Sequence, residues 1–225
     1  MSQLQKKAIQ AIEKKGLLLV YPIDNRPEPP SLWSELYPRT KMRWEWDDQG
    51  DAKVAQLWHL REELSRSGKV VYGKWYQGRA TFFSRPLFTA LYHLSRQWRP
   101  PRWTRESDSV LEILQMDSPL STKQIKEAVG LQGKLLESTY ERALKPLWQH
   151  LDIVGFGEVQ DSSFPSLAVG ATVTLFEDLR DESESLTTKE ANQLLEKYLP
   201  EGSSWRKFWN RISAPPSESL SLRRR

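Results

Sequence analysis

Between residues 107 and 176 the sequence carries an ordered series of helix start and stop signals, and that order restricts the possible folds more than any other feature of the chain. Residues 107–116 read as one helix. Ser121-Thr122-Lys123-Gln124 is a capping box, in which serine and glutamine side chains satisfy backbone groups at the start of a second helix. Gly130 ends that helix, since glycine enters the left-handed C-terminal position without steric cost. After the turn Leu131-Gln132-Gly133 a third helix runs to about His150, and Pro146 should kink it or mark its last turn. Two short strands follow at 152–158 and 168–176, joined by the polar loop VQDSSFPS. Helix, turned helix, helix and β-hairpin is the order of a winged helix-turn-helix.

The preceding residues have their own punctuation. Residues 3–15 form a helical pattern with Leu4, Ala8, Ala11 and Ile12 on one side, stopped by Gly16. Residues 17–21 read as a buried strand, and Pro22, Pro27, Pro29 and Pro30 constrain the loop after it. Ser31 is a good N-cap for a short helix through Leu36. Trp44 and Trp46 alternate with charged residues, as in a short strand or an extended ligand-facing loop. Asp51 can cap a helix over 52–66 that Gly68 ends. The segments KVVYGKWY and RATFFS flank Gln77-Gly78, a two-residue hairpin signal. Pro86 suits the first turn of a helix over 85–97. The two prolines of Trp98-Arg99-Pro100-Pro101-Arg102-Trp103 force extended backbone, which marks a domain boundary.

Beyond the wing, residues 180–185 read as an acidic polar linker, and Thr187-Thr188-Lys189-Glu190 opens another helix to Leu199. Trp205, Phe208, Trp209 and Ile212 recur at helical spacing. That amphipathic helix either packs back on the body or binds a protein partner through Trp205 and Trp209. The expected class is therefore α+β. An N-terminal helix and β-hairpin domain (1–105) precedes a winged helix-turn-helix domain (106–180), a short helical extension (181–212) and a disordered basic tail (213–225).

Charge is distributed unevenly. Residues 69–105 hold eight cations (Lys69, Lys74, Arg79, Arg85, Arg96, Arg99, Arg102 and Arg105) and no acid, although the whole chain is only +4. Residues 106–160 are net −4 and residues 161–202 net −6. Nine aromatics are interleaved with the eight cations, among them Trp75, Tyr76, Trp98 and Trp103. Cations neutralise phosphates and exposed rings stack on bases, so this stretch is the expected nucleic-acid site. Any one of these rings is more often core than base-stacking, since small α+β domains require buried aromatics. The outer side of the third helix (Lys134, Glu137, Ser138, Glu141, Arg142, Lys145) has mixed charge. A structural or docking role suits it better than base reading does.

Other chemistries find little support. The chain has no Cys, which excludes a disulfide scaffold, a Cys-ligated zinc finger and a thiol nucleophile. His59, His93 and His150 stand alone, so no metal site and no cofactor are expected. The longest apolar run, Leu17 to Tyr21, is too short for a membrane span, and the polar N-terminal stretch is unlike a signal peptide. A cytoplasmic protein is expected.

The segment LLLVYPIDNRPEPPSLW, the later VVYGKWYQGRATFFS and the winged-helix pattern together resemble the small bacterial proteins described as AlkZ-related. These look like shortened relatives of the AlkZ/YcaQ DNA glycosylases, which excise alkylated or crosslinked bases. The resemblance implies DNA repair as the setting. It also implies a Gln-x-Gln or Gln-x-Asp pair before a Leu-Trp pair, positioning water and stabilising the developing sugar cation. The matching stretch is Tyr21-Pro22-Ile23-Asp24, ahead of Leu32-Trp33. Asp24 occupies the second catalytic position, whereas Pro22 replaces the glutamine and has no side-chain donor or acceptor. Gln115-Met116-Asp117 repeats the spacing in the wrong part of the chain.

Three readings follow. The first is a DNA-binding protein related to these glycosylases but without their full catalytic pair, contacting DNA through the eight cations and through Trp75, Tyr76, Trp98 or Trp103. The second is a glycosylase for alkylated bases acting through Asp24. The third is a winged-helix protein–protein interaction module.

Overall fold

The computed structural model describes residues 1–43, 52–98, 100, 102–160 and 165–214. Ser2 caps α1 (Gln3–Lys15) with a full capping box, and Gly16 closes it at φ 77°. Ala8, Ile9 and Ile12 form its buried side. β1 (Leu17–Leu19) follows directly, and the Ser31 hydroxyl accepts from Ser34 N at the start of α2 (Leu32–Leu36). α3 spans Ala52–Arg66. The Trp44/Trp46 strand or loop and the Asp51 cap lie outside the described residues.

The hairpin that follows is wider than its sequence signal. β2 (Val70–Gly73) and β3 (Thr81–Ser84) pair until Gly73 meets Thr81, leaving residues 74–80 as the connection. A two-residue turn at Gln77-Gly78 would require alternating strand up to Tyr76. Trp75 and Tyr76 are instead both buried, which neighbouring residues of a strand cannot be on one face. The chain leaves the ladder and reverses through a 3-10 turn at Tyr76–Gly78, where Gln77 (φ 54°) and Gly78 (φ 75°) are left-handed.

α4 (Arg85–Ser95) carries Pro86 in its first turn, as expected. α5 (Arg105–Met116) begins at Arg105 rather than 107, because Thr104 and Ser107 make a capping box there. β4 (Leu120–Ser121) leads into α6 (Thr122–Ala128), with the Ser121–Gln124 box as read. A 3-10 turn at Lys134–Leu136 precedes α7 (Glu137–Gln149), which contains Pro146. β5 (Ile153–Val159) and β6 (Ser166–Ala171) follow, and β6 gives way at Thr172 to α8 (Thr172–Leu175). The expected acidic linker is in fact helical. α9 (Glu177–Ser185) buries Leu179 and Ser183, and His93 Nδ1 of α4 lies 2.8 Å from the Ser183 carbonyl. α10 (Thr188–Tyr198) and α11 (Ser204–Ser213) complete the described chain.

The result is a mixed α+β molecule with eleven α-helices and one six-stranded antiparallel sheet among the described residues, in the order β1-β3-β2-β5-β6-β4. The N-terminal hairpin and the β5–β6 hairpin join edge to edge through Tyr72 and Gly155. A Cβ on Gly155 would stand 2.3 Å from the Tyr72 ring, so this crossing needs a glycine. One core cluster draws Leu17, Phe83 and Leu91 together with Val154, Leu195 and Trp209. The sheet and this core therefore both run across residues 105 and 106.

Candidate nucleic-acid interface

The tip of the β2–β3 connection and the C-terminal half of α7 meet in a groove of about 280 Å³. Trp75 anchors the tip. Its Nε1 donates to the Gln149 carbonyl (3.2 Å), and its ring packs edge-on against Phe83 (5.7 Å) and Phe208 (4.8 Å). Tyr76 points the same way, against Trp205 (4.7 Å) and Phe208 (4.9 Å). With both rings inward, the polar neighbours Lys74, Gln77 and Arg79 are left exposed. On the other wall, Tyr140, Ala143 and Leu147 hold α7 to the core, and Glu141 and Lys145 face outward one turn apart. Lys74, Gln77, Glu141 and Lys145 thus ring the groove, with Trp75 and Trp148 among its apolar lining.

Lys74 is exposed as a residue, yet partial burial of its ammonium in the groove and the Arg61 guanidinium lower its pKa, while Glu141 acts in the opposite sense. Arg61 is itself buried. It is paired with Glu158 and stacked on Trp58, 4.2 Å from the ring centroid. The groove therefore combines a partly desolvated amine, a second lysine, a carboxylate and an amide side chain.

The other expected contacts do not gather into a continuous positive wall. Lys69 and Lys74 lie at opposite ends of β2. Arg85 is paired with Asp178 and donates to the Gly68 carbonyl (2.8 Å), so it is committed to holding α9. Arg96 is bound to Asp152 Oδ1 (2.7 Å) and the His150 carbonyl (2.6 Å), and lies over the Tyr92 ring. His150 completes that cluster. Its Nε2 faces the Ser95 (2.6 Å) and Trp98 (2.9 Å) carbonyls, which only accept, so Nε2 carries a proton. Arg102 (φ 72°) and Arg105 are exposed near the start of α5, and Arg99 lies outside the described residues.

The ring expectations change likewise. Trp75 and Tyr76 cannot stack on bases, because α11 covers them and they are 0% and 6% exposed. Trp98 is half-buried, edge-on to His150 and Trp209. Trp103 is half-buried and donates from Nε1 to Asp108 Oδ1 (2.6 Å). Of the two readings of the Trp205/Trp209 helix, the structure shows packing back on the body: both rings belong to this core, at 4% and 6% exposure, and are not offered to a protein partner. Glu141 and Lys145 were visible in the sequence only as part of a mixed helix face. Their approach to Lys74 depends on a tertiary contact.

Asp24 is exposed on a left-handed turn (φ 51°), next to Asn25, whose side chain exchanges hydrogen bonds with the Met42 backbone (2.7 and 3.0 Å). A nearby cleft of about 500 Å³ is lined by Pro22, Asn25, Trp33 and Tyr37, and Asp24 is not part of its lining. Pro22 is buried where the resemblance would place a glutamine. Among the described residues no helix is long and apolar enough to cross a membrane, and no group of three or more His, Asp or Glu is placed to hold a metal ion.

No curated protein and no solved structure matches the chain. The family model described as AlkZ related matches residues 3–207, which include both hairpins, the groove between the β2–β3 connection and α7, and most of the C-terminal helices. The chain belongs to the AlkZ-related family, which ties it to the AlkZ DNA glycosylases.

Proposed function

We propose that this protein binds DNA through the groove between the β2–β3 connection and α7, with the segment from α5 to β6 acting as a winged helix. The element order α5, β4, α6, α7, β5, β6 supports that reading, as does the pairing of β4 with β6 (Leu120 with Val169, Ser121 with Ala168). The observation that carries the proposal is the convergence of Lys74 and Lys145 on one groove from segments far apart in sequence. Two ammonium groups so placed contact adjacent phosphates, with Arg79 one residue beyond Gly78. Phosphate contacts position a protein on a duplex, and the apolar floor offers a surface for sugar or base edges. Family membership supports DNA as the polymer.

Fluorescence anisotropy with a labelled duplex at several salt concentrations tests this. Each lysine-to-alanine change at Lys74 or Lys145 should weaken binding by about tenfold at low salt, as loss of a phosphate contact does. Wild-type protein that leaves the duplex unbound, or variants that bind as tightly as wild type, would overturn the reading.

A further inference from the structure

Lys74 has more in its surroundings than a phosphate contact requires. It stands between Gly73, the last residue of β2, and the fully buried Trp75, so its backbone is fixed on both sides. Its groove, at about 280 Å³, is large enough to admit a single sugar unit, and Glu141 shares the lining with it. An amine that shares an open cavity with a carboxylate has the two groups that carbonyl chemistry needs, a nucleophile and a base.

We propose that Lys74 is an amine nucleophile that captures the ring-opened aldehyde of an abasic deoxyribose in DNA and cleaves the strand by β-elimination. This rests on the DNA-binding reading above and adds a reaction at the same groove. The lowered pKa of Lys74, caused first by burial and then by Arg61, raises the share of free amine at neutral pH. In the first step the lone pair of the free amine attacks C1′ and a C–N bond forms; the aldehyde oxygen takes one proton from that nitrogen and one from solvent and leaves as water, giving an iminium. The Glu141 carboxylate then takes a proton from C2′. The C2′–H electron pair forms a double bond, and the C3′–O bond breaks, leaving the phosphate on the downstream fragment. Water adds to C1′ of the iminium, the C–N bond breaks, and the free amine of Lys74, the unsaturated aldehyde and one proton to solvent are released. No oxidant or reductant is consumed, and the proton held by Glu141 returns to solvent.

The test uses the full chain and two duplexes. One carries a true abasic site, and the other a tetrahydrofuran analogue that lacks the aldehyde. Borohydride reduction during incubation with the true abasic duplex should yield a covalent adduct that maps by peptide mass spectrometry to Lys74. Lys74→Ala and Lys74→Arg should each lower the yield by about tenfold or more, since neither side chain forms the imine. Lys14→Ala, on α1, should leave it unchanged. If the tetrahydrofuran duplex is bound but no adduct forms, or the adduct maps to another lysine, the nucleophile is overturned while DNA binding stands. If neither duplex is bound, the DNA-binding reading falls first and this inference with it. Lys74→Arg keeps the charge, so a variant that binds normally without being trapped separates nucleophile from phosphate contact.

Discussion

Tyr140 shows what burial costs a single titratable group. Its ring lies at 2% exposure on the inner side of α7, and desolvation pushes its phenol up to about 12. Tyr21, less deeply buried, is raised to about 12 for the same reason. In the unfolded chain both ionise near ~10, so between roughly pH 10 and 12 the folded state holds protons that the unfolded state has lost. A phenol raised in this way stabilises the fold fully below its unfolded pKa and progressively less as pH climbs towards its folded value. Denaturant titrations at pH 9 and pH 11 should therefore show a loss of about 1 kcal/mol attributable to Tyr140. Tyr140→Phe, with no proton to lose, should remove that part of the loss. Tyr21 contributes less, since its greater exposure screens the effect. Equal pH dependence in wild type and Tyr140→Phe would mean that the hydroxyl is solvated in solution.

At the scale of elements the seam between the hairpins is the most exacting contact. Tyr72 of β2 lies over Gly155 of β5, with its hydroxyl near the buried Arg61 (3.5 Å). An alanine methyl at 155 would sit 2.3 Å from Tyr72 Cδ1 on a ring also fixed by Phe82 at 5.2 Å. Gly155→Ala should destabilise by about 2 kcal/mol or more, the usual cost of overpacking a tight core, read as a lower midpoint in urea. An unchanged midpoint would show that the ring is free to swing aside. Much of this level was legible in the sequence. The boxes at Ser121–Gln124 and Thr187–Glu190 are local chemistry and stand where their spacing puts them. The α9 helix was hidden because its buried side amounts to Leu179 and Ser183 alone, too little periodicity in an acidic run. Gln77-Gly78 signals a reversal without saying where the ladder ends, so the sequence alone places the hairpin turn too tightly. The burial of Trp75 and Tyr76 settles that point, and it is supplied by α11 from the far end of the chain.

For the whole molecule, the question is how much of the sequence charge asymmetry survives folding. The acid-free stretch and the acidic C-terminal segments are opposite poles in the linear chain, yet Arg85 meets Asp178 and Arg96 meets Asp152 once it folds. A count by segment cannot anticipate such pairs, because it ignores which segments pack together. The consequence is quantitative. Eight free cations acting together would give a slope of log affinity against log salt of about −7, at ~0.9 per neutralised phosphate. The groove offers Lys74 and Lys145, with Arg79 beside them, while Lys69 lies at the far end of β2, Arg102 and Arg105 lie at the start of α5 outside the groove lining, and Arg85 and Arg96 are neutralised. Duplex binding should accordingly show a slope of about −3. Lys74→Ala combined with Lys145→Ala should flatten it towards about −1, and Arg85→Ala should leave it unchanged while loosening α9. A wild-type slope near −7 would mean that the arginines release their carboxylates to bind phosphate, and that DNA competes with the fold for the same charges.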